Sequence, residues 1–302
     1  GRAAGNKSAG KAPRRALSIG PAHALALGGT WDYKAGRAIR RPPLKPSERI
    51  FVALDTVDAG RALSLARDLS GLIGGVKMGK EFFTANGPAG VERVARAGLP
   101  AFLDFKFNDI PQTVSAAVTA ALPLRPFIIT IHALGGAAMM RGAVAAAAAA
   151  GTGRPLVVAI TVLTSLDDGD LDGLGLAGPV QDRVLALARL AQGCGLDGVV
   201  CSPQEAAALR RELGPDFKLV VPGIRPTWAA AGGQKRVMPP SQALAARPEY
   251  LVLGRPLTGP ATPRAPAARL GDRPVAGALA LPDGQGAQEA GFAPLVVVGH
   301  GV

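Results

Sequence analysis

Residues 99–111 read LPAFLDFKFNDIP, an apolar run that ends in three charged residues. Alternate side chains of a β-strand share a face, so the run divides into one set of Phe102, Asp104 and Lys106 and another of Leu103, Phe105 and Phe107. Burying charge is costly without well-placed partners, and a strand that only packed would carry Val or Leu instead. The pattern favours a strand whose end performs chemistry, with a structural ion pair at a barrel rim as the alternative.

Seven further short apolar or β-branched runs resemble this one. They are IFVALD (50–55), GGVKMG (74–79), FIITIHA (127–133), LVVAITVLT (156–164), GVVCS (198–202), KLVVPGI (218–224) and YLVLG (250–254). Segments with Ala and Leu at three- and four-residue spacing separate them, which is typical of helices. Eight such units over roughly 210 residues predict an α/β fold, a closed (β/α)₈ TIM barrel. An open doubly wound sheet is the alternative, although no GxGxxG follows the first strand.

Composition and charge suggest how the 302 residues are divided. Residues 1–47 hold ten Lys and Arg against one Asp, so most of the net charge of +12 lies there. We expect a basic, flexible arm over 1–47, a barrel domain over 48–260 and a mostly irregular extension over 261–302. The nearly balanced barrel segment argues against nucleic-acid binding, because that function needs basic residues on a folded surface.

Several other classes are disfavoured by the sequence. The only two cysteines form no CxxC motif, which argues against a zinc or disulfide framework and for a reducing, cytoplasmic location. No apolar run is long enough to span a membrane, so no membrane association is expected. The N-terminus lacks a signal-type apolar core and an initiator Met, which we interpret as trimming or an extended gene start. The acidic stretch DDGDLDG (167–173) reads as a solvated loop and lacks the closing Glu of a calcium loop, so no metal is expected there.

Charged residues also end the strands that precede LPAFLDFKF. Asp55 closes the first strand and Lys77 lies near the end of the second. The carboxyl ends of barrel strands meet at one mouth, where such enzymes hold their active sites. Lys77, Asp104, Lys106 and Asp109 would then form an alternating array. A fixed ammonium beside a fixed carboxylate suits a reaction in which a substrate carboxylate leaves and a carbanion is protonated.

The motifs together resemble the orotidine 5′-phosphate decarboxylase family, in its compact bacterial form. They are VALD, VKMG, DFKFNDIPQTV, the LTS of VLTS, PGIRP, GGQKRVMPP and YLVLGRPLT, all in family order between Arg49 and Thr258. The resemblance implies a dimeric (β/α)₈ barrel without metal or organic cofactor. It also implies a carboxy-lyase that converts orotidine 5′-phosphate to UMP and CO₂ in de novo pyrimidine biosynthesis.

The resemblance assigns roles by position. Lys106 would protonate C6 of the pyrimidine, Asp104 would lie against the leaving carboxylate, and Lys77 and Asp109 would complete the array. The further substrate-binding residues fall into three groups. They are Asp55 and Lys77 at the ribose with Thr164 at the pyrimidine, then Arg225, Gln234, Gly254 and Arg255 at the phosphate, and finally Asp109, Ile110 and Thr113 reaching into the partner subunit's site.

Three positions depart from the family pattern, and other classes stay open. Asn108, Gln112 and Pro240 stand where His, Asn and Thr are frequent. We expect Asn108 and Gln112 to tune activity and Pro240 to fit the first turn of the last helix. Magnesium-dependent sugar-phosphate barrels, such as keto-gulonate-phosphate decarboxylase and hexulose-phosphate synthase, share an Asp-x-Lys-x-x-Asp strand but generally carry an acidic residue where Lys77 stands. A non-catalytic barrel, or a nucleic-acid-binding basic arm, is the alternative from another class.

Overall fold

The computed structural model describes residues 31–32, 37–38, 44–176, 178–223, 248–259 and 263–272. The chain divides into two compact units, residues 1–43 and residues 44–302. In the first unit, Trp31–Asp32 pairs antiparallel with Arg37–Ala38. Among the described residues, no helix combines the length and the apolar composition needed to cross a bilayer.

Eight parallel strands of the second unit form a closed barrel. They are β1 (Ile50–Ala53), β2 (Gly75–Gly79), β3 (Ala101–Phe107), β4 (Ile128–His132), β5 (Leu156–Ile160), β6 (Gly198–Val200), β7 (Lys218–Val221) and β8 (Tyr250–Leu253). Each strand pairs with the next in the chain, and β8 pairs with β1 to close the ring. The predicted (β/α)₈ barrel is therefore confirmed, and the open doubly wound alternative is wrong.

Helices surround the barrel. They are α1 (Ala59–Leu69), α2 (Lys80–Ala95), α3 (Pro111–Ala121), α4 (Gly136–Ala148), α5 (Asp168–Gly173), α6 (Val180–Gly193), α7 (Pro203–Leu213), α8 (Arg255–Thr258) and α9 (Arg264–Asp272). Short 3₁₀ turns cover Ser47–Arg49, Leu122–Leu124, Ala133–Gly135 and Gly151–Gly153. α1 shows why these segments are helical, since the Asp58 carboxylate accepts hydrogen bonds from the Gly60 and Arg61 N–H groups and one apolar stripe is buried.

The acidic stretch that we expected to be a loop is helical. Asp167 precedes α5 and accepts from the N–H of Asp170, whose carboxylate accepts from the N–H of Asp167. This reciprocal capping satisfies two N–H groups that a helix start leaves free. Negative charge near a helix N-terminus is also favourable. The loop prediction is wrong because it treated the aspartates as solvated charges and overlooked their capping capacity.

The floor of the barrel is filled by aromatic rings. Phe51, Phe102, Phe127 and Tyr250 pack together with ring centroids 5.5–5.9 Å apart. Gly75 makes room for them, because a Cβ at that position would overlap the ring of Phe51. This apolar floor leaves the opposite end, at the carboxyl ends of the strands, as the open mouth of the barrel.

Candidate active site

Three neighbouring strands carry charged side chains to the mouth. The inward-facing residues of β1, β2 and β3 are apolar or glycine at the floor of the barrel. Towards the mouth the inward-facing residues are charged, namely Asp55, Lys77, Asp104 and Lys106. The register sets Lys77 opposite Phe102 and Gly79 opposite Asp104. Leu103, Phe105 and Phe107 pack outward with the helix layer, as the alternation of the strand predicts.

These four side chains form one continuous chain of ion pairs. The Lys77 ammonium lies 3.6 Å from Asp55 Oδ1 and 3.4 Å from Asp104 Oδ2. The Lys106 ammonium lies 2.7 Å from the same Asp104 Oδ2. Asp104 is therefore shared by both lysines, and its side chain is only 11% exposed. The structure brings together four of the predicted site residues.

The environment of Asp104 keeps its carboxylate ionised. Burial by itself would raise the pKa of Asp104, but the charges of Lys77 and Lys106 and the hydrogen bonds from Lys106 and Thr130 outweigh burial and lower that pKa. The mouth thus holds a carboxylate whose ionised form is favoured, between two ammonium groups. Such an arrangement is a preorganised field that needs no reorientation during a reaction.

The backbone of β3 is irregular at the array. Leu103 lies opposite Ile129 and Phe107 lies opposite Ile131, so three residues of β3 face Thr130 alone. Lys106 has φ 53°, a left-handed conformation that is uncommon outside glycine. Bulges of this kind re-aim side chains and are frequent beside active sites.

Sequence reasoning missed Thr130. Its hydroxyl accepts a hydrogen bond from the Lys106 N–H at 2.9 Å and donates one to Asp104 Oδ1 at 3.0 Å. The residue is fully buried. The sequence could have indicated this residue, because alternation along β4 predicts that Thr130 faces inward beside Asp104. A hydroxyl stands out there, since the other inward positions are apolar or charged.

Asp109, Ile110 and Thr113 lie apart from this array. Asp109 Oδ1 accepts from the Ile110 N–H at 2.6 Å, and within the described parts of the chain Asp109 makes no ion pair. Ile110 is 65% exposed, and Thr113 is exposed in the first turn of α3. The geometry of one chain therefore leaves these three side chains pointing at solvent.

The other predicted residues are only partly described. Thr164 is half-buried in the turn after β5. Gly254 ends β8 close to Asp55, since a Cβ placed on Gly254 would lie 3.9 Å from Asp55 Oδ2. Arg255 is exposed at the start of α8, next to the mouth. Arg225 and Gln234, like the departure at Pro240, lie outside the described residues.

His132 ends β4 next to the array. Its Nδ1 accepts a hydrogen bond from the Leu134 N–H at 3.4 Å. Burial lowers the pKa of His132, and the charges of Lys106 and Lys80 lower it further. The imidazole is neutral near pH 7, and its Nε2 carries the proton because Nδ1 is the acceptor.

Metal-ligating side chains are not clustered in the described residues, where no three His, Cys, Asp or Glu groups are placed to hold one ion. At the mouth, the carboxylates of Asp104 and Asp55 are engaged by ammonium groups instead. The donor set is therefore one of fixed opposite charges, which suits the stabilisation of charge that develops on a bound substrate.

The fold and the mouth together define a class of protein: a closed (β/α)₈ barrel that fixes ammonium and carboxylate groups at the carboxyl ends of its strands, where such barrels hold their active sites. The chain belongs to the orotidine 5′-phosphate decarboxylase / HUMPS family, whose family model matches residues 48–270. The resemblance drawn from the motifs is confirmed.

Curated relatives and a solved structure agree with this membership. An orotidine 5′-phosphate decarboxylase of Paramagnetospirillum magneticum is 52% identical over 225 residues, which cover 73% of this chain and 96% of that relative. One of Rhodospirillum rubrum is 53% identical over 226 residues, covering 73% of this chain and 91% of that relative. The crystal structure of orotidine 5′-phosphate decarboxylase from Lactobacillus acidophilus matches with a TM-score of 0.65 at 33% identity, covering 73% of this chain and 96% of that one.

Proposed function

We propose that this protein is an orotidine 5′-phosphate decarboxylase that forms UMP and CO₂ without a metal or organic cofactor. The observation that carries the proposal is the chain of ion pairs Asp55–Lys77–Asp104–Lys106 at the mouth of the barrel. Relatives with about half of their residues identical bear that name. De novo pyrimidine synthesis in the cytoplasm is the corresponding cellular role.

Loss of CO₂ from C6 of the pyrimidine leaves a poorly delocalised carbanion, so the barrier must be lowered by a fixed field. Lys106 supplies positive charge where negative charge develops and then transfers its proton to C6. Asp104, held negative by its neighbours, lies against the departing carboxylate and disfavours it in the bound substrate. Lys77 and Asp55 hold the ribose hydroxyls, and Thr164 lies against the pyrimidine.

The phosphate of the nucleotide would bind at the far side of the mouth. Gly254 allows backbone N–H groups to approach the phosphate, and the guanidinium of Arg255 matches two phosphate oxygens. Arg225 and Gln234 would close over the same group. Binding energy from this remote phosphate then orders the site around the reacting carbon.

The main rivals are the magnesium-dependent sugar-phosphate enzymes, and the family description includes a HUMPS branch. Lys77 favours the orotidylate reaction. The Lys77 ammonium pairs with both Asp55 and Asp104. The magnesium-dependent enzymes generally carry an acidic residue at this position, where carboxylate oxygens suit Mg²⁺, whereas an ammonium group does not bind a cation.

The decisive experiment is a spectrophotometric assay of orotidine 5′-phosphate in EDTA. We expect turnover by the wild type, and a loss of roughly a thousand-fold or more in Lys106→Ala, because the proton donor and the positive charge are both removed. Lys218→Ala is the matched control, since Lys218 begins β7 at the opposite end of the barrel. Circular dichroism verifies that all three proteins are folded.

Each outcome is informative. No turnover by the wild type in EDTA would exclude the proposed activity, and recovery on adding Mg²⁺ would point to the sugar-phosphate branch. Near-normal rates in Lys106→Ala would remove Lys106 from the role of proton donor. Salt-dependent DNA retention that depends on residues 1–47, without turnover, would support the basic-arm alternative.

A homodimer completes the proposal. Asp109, Ile110 and Thr113 face solvent in one chain, although the resemblance assigns them to a substrate site. A groove of about 390 Å³ lies beside the array, and four of the leucines that line it are exposed. These residues, which we call the leucine groove, are Leu134, Leu163, Leu174 and Leu190. Clustered exposed apolar side chains mark interfaces, so a second copy of this chain would cover the groove and bring Asp109 to the partner's array.

A further inference from the structure

The irregular backbone of β3 is tied to β4 through a side-chain hydroxyl. Three residues, Asp104 to Lys106, face the single residue Thr130 across the strand pair. The Lys106 N–H donates to the Thr130 hydroxyl at 2.9 Å. A left-handed residue other than glycine is strained and persists only where its surroundings hold it. The hydroxyl is one of the groups that hold it.

The same hydroxyl fixes the other half of the array. Because its oxygen accepts from Lys106, its proton is directed to Asp104 Oδ1. Asp104 Oδ2 is taken by the two lysine ammonium groups. The two oxygens of the carboxylate are therefore held from opposite sides, and the plane of the carboxylate is set by Thr130 on one side and by the lysines on the other.

We propose that Thr130 is a positioning residue for the decarboxylation, one hydroxyl that sets both the backbone at Lys106 and the orientation of the Asp104 carboxylate. The inference rests on the proposed function, because it concerns the array that performs that reaction. Thr130 itself does not need to touch the substrate. It acts by holding the ammonium and the carboxylate in the geometry that the transition state requires.

Substitutions at Thr130 test this role. Thr130→Val keeps the shape but removes both hydrogen bonds, and Thr130→Ser keeps the hydroxyl. Thr161→Val is the matched control, because Thr161 is also a buried threonine and its hydroxyl donates to the Val200 carbonyl, not to a residue of the array. We expect kcat to fall roughly ten- to hundred-fold in Thr130→Val with KM nearly unchanged. Thr130→Ser should stay within about threefold of wild type, and Thr161→Val should keep its kcat even where it loses stability.

A pH profile separates positioning from a general loss of stability. Thr130→Val deprives the Asp104 carboxylate of a donated hydrogen bond, so the acid limb of kcat/KM should move to higher pH, whereas Thr130→Ser should leave it in place. An unchanged acid limb with unchanged kcat in Thr130→Val would overturn the proposal. An equal loss of kcat in Thr161→Val would overturn it as well, because the effect would not be specific to the array.

The proposal stays testable if the valine variant does not fold or the wild type has no orotidylate activity. Thr130→Cys, a weaker donor of similar size, replaces the valine variant in the first case, with the same expected directions. In the second case the proposed function fails by itself. The role of Thr130 can then be tested by ¹³C NMR of the Asp104 carboxyl, assigned with Asp104→Asn. The pKa of Asp104 must rise in Thr130→Val and stay unchanged in Thr130→Ser. Equal values in all variants would contradict the inference.

Discussion

At the scale of single residues, Asp104 is the centre of the site. It receives two ammonium groups on one oxygen and a hydroxyl on the other, so each neighbour depends on it for its place. Removing one partner of a buried ion pair typically costs about 3–5 kcal/mol because the remaining charge is left uncompensated. The array behaves as a unit, and substitutions within it are not expected to be additive.

His132 reports on the charge of Lys106. Its pKa is lowered by burial and by the nearby lysines, so Lys106→Met should raise it toward the ordinary value of about 6.5. Proton NMR titration measures this shift, with the His132 signal assigned by His132→Gln. Lys218→Met, at the other end of the barrel, is the control and should leave the pKa of His132 unchanged.

The same titration has a consequence for stability. The unfolded chain binds the proton of His132 near pH 6.5, whereas the folded protein binds it only at lower pH. The free energy of unfolding should therefore fall as the pH drops from about 6.5 through the lower, folded-state pKa, and His132→Gln should reduce that slope. A His132 pKa at or above 6.5 in the wild type would contradict this account.

At the scale of elements, one strand performs two tasks. The first half of β3 contributes Phe102 to the aromatic floor, and the second half contributes Asp104 and Lys106 to the mouth. The strand can do both because alternate residues share a face and successive inward residues rise through the barrel. A packed floor beneath a charged mouth keeps water away from one side of the array, which strengthens its electrostatic interactions.

The floor depends on the absence of a side chain at Gly75. Gly75→Ala should lower the free energy of unfolding by about 1–3 kcal/mol, because the new Cβ would overlap the Phe51 ring and lie 2.6 Å from the Pro100 carbonyl oxygen. Urea denaturation measures the change. Gly153→Ala is the control, since nothing lies within 4 Å of a Cβ there, and it should stay within about 0.5 kcal/mol of wild type. Equal stability of both variants would mean that the floor is loosely packed.

At the scale of the whole molecule, the pairing of neighbouring strands in the barrel assembles the site. The leucine groove, which we propose as the dimer interface, lies beside that site. Asp55 follows β1, Lys77 lies in β2 and Asp104 in β3, and the three meet only because these strands are neighbours in register. Leu134 follows β4 and Leu163 follows β5, so the groove lies at the ends of β4 and β5, next to the strand β3 that carries Asp104 and Lys106.

The dimer is tested by placing a charge in the groove. Leu134 is 54% exposed in one chain, and Leu134→Glu should raise the dimer dissociation constant by roughly a hundred-fold or more because the carboxylate would be buried at the interface. Sedimentation velocity measures the oligomeric state, and activity should fall on dilution of the variant. Val57→Glu is the control, since Val57 is 60% exposed on the loop after β1. A monomeric, fully active wild type at micromolar concentration would disprove the dimer.

The fold was largely readable from local patterns. Eight apolar runs separated by helical spacing predicted eight parallel strands, and alternation within DFKF predicted which side chains face inward, because both depend on periodicities of two and 3.6 residues. The failure at DDGDLDG has a physical reason too, since aspartates that cap a helix look the same in sequence as aspartates in a loop.

The sequence by itself determined the kind of strand, the identity of the charged residues and the family to which they belong. Only the tertiary structure decided that Asp104 is shared by two lysines, that β3 bulges at Lys106, and that Thr130 holds both. These features depend on a backbone irregularity and on register between strands, which joins residues as far apart in the chain as Lys106 and Thr130. Hydrogen bonds across such distances leave no periodic trace in the chain, whereas burial and strand alternation do.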